Sequence, residues 1–257
     1  ADGTVVTVLD GIRQKVSKET RVLYAKGCAV RDSSRTGFKD AIETARNADA
    51  VVMVMGGSSA RDFSSEYEET GAAKVTINQI SDMESGEGYD RATLHLMGRQ
   101  LELLEEISRL GKPVVLVLIK GRPLLMEGAI QEAEAIVDAW YPGMQGGNAV
   151  ADVLFGDYNP AGRLTLSVPR SVGQLPVYYN TRRKGNRSRY IEEPGTPRYP
   201  FGYGLSYTTF SYTDMKVQVT EGSDDCRVDV TVTIQNQGTA DGDEVAQLYF
   251  RDDVSSF

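Results

Sequence analysis

Histidine is nearly absent from this chain: one residue, His95, in 257. A metal centre built on clustered imidazoles is therefore excluded, and a Ser-His-Asp triad would have to use that one side chain. Cysteine is scarce too. Cys28 and Cys226 stand far apart and in no motif, so they read as free, partly buried thiols rather than a disulfide framework. No run of 18 or more apolar residues occurs, so no membrane-spanning helix is expected, and no signal peptide is read at the N-terminus. An excess of positive charge is also lacking. The formal net charge of −8 argues against a nucleic-acid partner, because phosphate binding needs a basic surface. Arg182, Arg183, Lys184, Arg187 and Arg189 do cluster, but Gly185, Asn186 and Ser188 among them make this a solvated loop.

What is present is the composition of a globular chain. Hydrophobic residues make up 40%, enough for a normal core, and the length accommodates one full domain and part of another. Val5, Leu9, Ile12 and Val16 fall on one helical face, as do Phe38, Ile42 and Ala45; Val22-Leu23-Tyr24-Ala25 between them reads as a short strand. Ala50 to Met55 is a continuous apolar run ending in Gly56-Gly57, the pattern of a central strand in a parallel sheet covered on both faces. Pro113 to Ile119 and Ala135 to Trp140 are two more such strands. Helices alternate with them: one with a stripe of Leu103, Leu104, Ile107 and Leu110 closed by Gly111, and one opened by Gly146-Gly147-Asn148. Helix–strand alternation predicts an α/β fold, a doubly wound, mainly parallel sheet, over residues 1–167.

From 168 to 207 the character changes to short extended pieces with many prolines and tyrosines, which reads as a linker wrapping the domain. Beyond it, Met215, Val217 and Val219 alternate with polar residues, and so do Val228, Val230, Val232 and Ile234. Glu244 to Phe250 resume the pattern after a turn, so 208–257 is expected to be a β segment of about three strands.

Between Gly56 and Leu96 lies a connection too long to be idle in a compact domain. It leaves the C-terminal end of a sheet strand, where open α/β sheets bind their ligands. It contains Ser85-Gly86-Glu87-Gly88-Tyr89-Asp90-Arg91, in which two glycines let the backbone turn sharply around Glu87 and a bulky ligand approach its carboxyl. Glu84 is a rival carboxylate on the same loop, with Glu66, Glu68 and Glu69 more distant. Gly57, Ser58, Ser59, Arg61, Glu84, Asp90 and Arg91 are the candidates to line a ligand site; Asp90 and Arg91 also suit loop positioning.

That acidic loop closely resembles the acid/base loop of glycoside hydrolase family 3, the β-glucosidases and β-xylosidases. Gly121-Arg122-Pro123-Leu124, the stretch Ala139-Trp140-Tyr141-Pro142-Gly143-Met144-Gln145-Gly146-Gly147-Asn148-Ala149, the stretch from Ala151 to Leu164 and that from Arg198 to Thr208 resemble further blocks of the family in their usual order. The resemblance implies an α/β sandwich domain followed by the start of a fibronectin type III-like domain. It implies that Glu87 is the general acid/base of a retaining β-glycosidase acting on oligosaccharides or aryl β-glycosides, with no cofactor and no metal. It implies too that the nucleophile is an aspartate in an N-terminal TIM-barrel domain not contained in this sequence, and that the enzyme is periplasmic or secreted. Retention needs two carboxyl groups about 5–5.5 Å apart, one attacking the anomeric carbon and one protonating the leaving oxygen.

Two other readings stay open. A carbohydrate-binding or structural module would use the acidic loop only to contact sugar hydroxyls. A nucleotide-binding α/β domain is suggested by Gly56-Gly57 after a strand, although neither G-x-G-x-x-G nor G-x-x-x-x-G-K-[ST] follows. Serine hydrolase chemistry is disfavoured, since Gly56-Gly57-Ser58-Ser59 is no Gly-x-Ser-x-Gly elbow.

Overall fold

The computed structural model describes residues 5–59, 68–71, 83–85, 90–180, 190–222 and 226–251. Two compact units divide the chain: residues 1–151 with 166–201, and residues 152–165 with 202–256.

The first unit is an α/β layer built on three apolar strands, β1 (Val51–Gly56), β2 (Val114–Ile119) and β3 (Ala135–Trp140), parallel and in the order β1-β2-β3. Val51 pairs with Val114 and Gly56 with Ile119, so the two strands end level. Helices α1 (Val8–Lys15) and α2 (Phe38–Arg46) precede the strands, α3 (Gln100–Ser108) and α4 (Glu127–Glu132) link them, and α5 (Gly146–Phe155) follows β3. Thr7 opens α1 with a reciprocal cap, its Oγ1 accepting from Asp10 N at 3.2 Å while Asp10 Oδ2 accepts from Thr7 N. The expected stripe of α3 is there, with Leu103, Leu104 and Ile107 buried and Gly111 beyond its end at φ +68°.

Strand order is where the outcome departs from the pattern. β2, not β1, is central: Val114, Leu116, Val117 and Leu118 are wholly buried. Among the described residues β1 lies at the sheet's edge, and Val54 is 50% exposed. A run apolar on both faces reports β-propensity and hydrophobicity, and neither specifies which neighbour the ladder finds. Val22 to Ala25, read as a short strand, forms none.

Residues 166–201 pack with the first unit. Val168 and Pro169 are fully buried, and Val168 bridges Tyr199 in antiparallel fashion. The buried amide of Gln174 accepts from Arg170 N at 2.7 Å and donates to the carbonyls of Pro194 and Thr196. Tyr179 stacks on Phe201 with ring centres 4.3 Å apart.

The second unit is organised on an antiparallel hairpin of β4 (Phe210–Glu221) and β5 (Cys226–Asn236). Asn159 ties its loops: Oδ1 accepts from Ser206 Oγ and Tyr207 N, and Nδ2 donates to Asp241 O. Arg163 pairs with Glu244 at 2.8 Å. The alternation read at 244–250 yields no strand; Leu248 and Phe250 are exposed, and a period of two becomes a strand only when a ladder partner is present. Cys28 is half-buried and Cys226 exposed, and both are free thiols.

Candidate active site

The candidate residues converge on the C-terminal edge of the parallel sheet. β1 ends in Gly56 at φ +141°, a conformation that only glycine adopts at ease, and a Cβ there would lie 1.8 Å from Ile119 O. Gly57 then donates its N–H to Ile119 O at 3.0 Å, and Ser58 bridges Met83 in parallel while its carbonyl accepts Glu84 N at 2.8 Å. The chain returning at 83–85 is thus laid alongside the end of β1. Ser59 is exposed beside it.

Glu84 turns inward. Its carboxylate occupies the space a side chain at Gly57 would need, Oε1 lying 1.8 Å from the position of a Cβ. Arg91 Nη1 meets its Oε2 at 2.9 Å, and both side chains are only 2% exposed. Arg91 Nη2 donates to His95 O, while Nε is buried without a partner among the described residues. From the other side Arg31 Nη1 donates to Met83 O at 2.7 Å. The segments on either side of 86–89 are therefore clamped together by a buried ion pair, whose desolvation is offset by charge-assisted hydrogen bonding.

Asp90 faces solvent. Its Oδ1 accepts from Arg91 N at 2.7 Å and from Arg122 Nη1 at 3.0 Å. That backbone donor first, and the guanidinium second, hold its carboxyl below the usual aspartate range. Arg122 belongs to the Gly-Arg-Pro segment after β2, so β2 supports the loop that β1 begins.

Of the residues singled out from the sequence, Gly57, Ser58, Ser59, Glu84, Asp90 and Arg91 lie along this edge. Arg61 and Glu87 fall outside the described residues. Four contributors escaped the sequence reading. Gln100 is a buried amide on the otherwise apolar stripe of α3, and its position one turn before Leu103 and Leu104 was the available signal. Arg31 carried none. Lys120 and Asp138, charges within apolar strand sequences, did: Lys120 is completely buried, and its Nζ lies 2.8 Å from Asp138 Oδ2.

An open parallel sheet with a clamped acidic loop at its carboxyl edge defines an α/β ligand-binding domain with its site at the strand ends. The chain belongs to the glycosyl hydrolase family 3 C-terminal domain family, which matches residues 2–207. Its motif resemblance is thereby borne out. It is 43% identical over 254 residues, 98% of its length, to a β-xylosidase of Formosa agariphila. It is 37% identical over 281 aligned positions, again 98% of its length, to a periplasmic β-glucosidase of Salmonella typhimurium. The solved β-glucosidase from Erythrobacter marinus shares the fold over 91% of the chain, with a TM-score of 0.74 at 36% identity. The chain spans only 32%, 34% and 32% of those three proteins. Among the described residues no helix is long and apolar enough to cross a membrane.

Proposed function

We propose that this chain is the C-terminal portion of a retaining, exo-acting β-glycosidase, a β-glucosidase or β-xylosidase, and that Glu87 is its general acid/base. The observation that carries the reading is the buried Glu84–Arg91 pair. It joins the residues that flank Gly86-Glu87-Gly88-Tyr89 in sequence and commits the rival carboxylate, Glu84, to a guanidinium. That carboxylate is buried and engaged by Arg91, so Glu87 remains the carboxyl of the matching motif with a chemical task open to it. The relatives named as a β-xylosidase and β-glucosidases support the same substrate class.

In the reaction, an aspartate of the TIM-barrel domain attacks the anomeric carbon and Glu87 protonates the departing oxygen. Glu87 then takes a proton from the water that releases the sugar. A bound sugar desolvates the acid and the nearby nucleophile repels its charge; both raise a carboxyl's pKa toward neutrality. Gly57, Ser58, Ser59, Arg61 and Asp90 line the sugar site, and Glu84 and Arg91 position the loop. The barrel domain is the chain's covalent partner. Residues 1–167 form the α/β domain, 168–207 wrap it, and 208–257 begin a fibronectin type III-like β-sandwich. The periplasmic relative supports export of the parent enzyme.

The test compares the barrel-joined enzyme with its Glu87→Ala variant on aryl and alkyl β-glucosides and β-xylosides. A loss of roughly 10²- to 10⁴-fold on poor leaving groups is expected, while on activated aryl glycosides, whose leaving group departs unprotonated, azide attacks the glycosyl-enzyme and restores turnover as a β-glycosyl azide. Near-normal rates in Glu87→Ala would leave this loop a non-catalytic sugar contact.

A further inference from the structure

Every buried side-chain atom that lacks a hydrogen-bond partner among the described residues belongs to Arg91, Lys120 or Asp138. Such atoms are rare in folded proteins and call for a reason. Lys120 is the largest fully buried side chain, at 0% exposure. Its Nζ lies 2.8 Å from Asp138 Oδ2 and 3.9 Å from the centre of the Trp140 ring, while Asp138 Oδ1 is buried with no partner. The backbone around them is just as unusual. The ladder of β2 and β3 shifts register between Leu118 and Ile119, and Trp140 takes φ +52°, rare for a bulky residue. Lys120 N donates to Trp140 O at 3.2 Å. Bulges and strained residues of this kind gather next to functional sites, where they aim a neighbouring group.

What is aimed here is the segment 119–122. Ile119 O accepts Gly57 N at 3.0 Å, beside the Glu84 carboxylate, and Arg122 holds Asp90 at 3.0 Å. One short piece of β2 and its exit therefore touches Gly57, on which the Glu84 carboxylate packs, and Asp90, three residues after Glu87. Plain packing would use an aliphatic side chain at 120, because a buried ion pair gives little net stability relative to a hydrophobic replacement. We propose that Lys120, through its pairing with Asp138 and its seat on Trp140, is a positioning residue for the acid/base that acts by setting segment 119–122 and, through it, Gly57 and Asp90. The inference rests on the reading of Glu87 given above.

The experiment measures the barrel-joined enzyme on two substrates, a dinitrophenyl β-glycoside that leaves unprotonated and a methyl β-glycoside that requires the acid. Lys120→Met is compared with Lys120→Met/Asp138→Leu, which removes both charges and restores Tm if the single variant is merely unstable. The expected result is a fall of about ten- to a hundredfold in kcat/KM on the methyl glycoside in both variants, with little change in kcat/KM on the dinitrophenyl glycoside. Equal losses on both substrates, or recovery of methyl glycoside turnover together with Tm in the double variant, would overturn the proposal. Glu87→Ala run alongside separates the two claims. If it shows no leaving-group dependence, the acid/base assignment fails; if it does and Lys120→Met does not, the positioning role alone fails.

Discussion

The side-chain amide of Gln100 completes the backbone hydrogen bonding of Gly56. Its Oε1 accepts Gly56 N at 2.9 Å, and its Nε2 donates to Gly56 O at the same distance while also reaching the carbonyls of Val30 and Met97 at 3.1 Å. A helix residue thus does the work of a neighbouring strand at the end of β1, where the chain departs toward the candidate site. Gln100→Leu keeps the bulk but orphans a buried donor and a buried acceptor, each costing about 1–3 kcal/mol. Urea unfolding of the variant should show a lower midpoint at unchanged m-value.

Glu84→Leu leaves Arg91 as an uncompensated charge in a side chain only 2% exposed. The expected loss is about 3–5 kcal/mol, larger than for any surface pair in the chain. Glu84→Leu/Arg91→Met, which removes both charges, should regain much of it. Equilibrium denaturation of the single and double variants checks both statements.

Gly57→Ala places a methyl group where the Glu84 carboxylate now lies, at 1.8 Å from Oε1. The two groups cannot share that space, so the substitution should destabilise by about 1–3 kcal/mol through overpacking. Glu84→Ala vacates the site, and the pair of changes should then be strongly non-additive. A double-mutant cycle on thermal unfolding measures the coupling.

Asp90 is held below its ordinary pKa of 3.8, first by the Arg91 N–H and then by Arg122. A depressed folded pKa contributes stability that is complete above the unfolded value and is lost as pH falls through the folded one. Arg122→Ala should raise the Asp90 pKa partway, since the backbone donor remains. Carboxyl-carbon NMR titration from pH 6 to about pH 2 reads this directly.

Tyr212 shows the opposite sign. Its hydroxyl donates to Glu244 Oε1 at 2.6 Å, and that bond lifts the phenol above 10.0. Its contribution is complete below the unfolded value and is lost as pH rises through the folded one. Glu244→Ala should bring the phenol back toward 10.0, followed by ring-carbon NMR in alkaline solution.

Periodicity and motif chemistry were enough to place β2, β3, α3 and α5 and to recognise the family, because each depends on residues close in sequence. A continuous apolar run at 114–119, a helical stripe at 103, 104 and 107, and glycines at 146 and 147 all act locally. The same local logic failed at Val22–Ala25, an apolar run, and at 244–250, an alternating one, neither of which forms a strand.

The candidate site divides along the same line. The sequence by itself marked the glycine-bounded carboxylate, the arginine four residues after it and the long connection leaving a strand end. It favoured Glu87 over Glu84 through the flanking glycines and the motif, but could not show that Glu84 is buried against Arg91. Nor could it show that β1 lies at the edge of the sheet, that Gln100 completes Gly56, or that Lys120 and Asp138 meet beneath Trp140. Those relations join residues far apart in sequence, 44 positions for Gln100 and Gly56. Only the folded chain decides them, because a buried charge or amide is stable solely where distant segments bring it a partner.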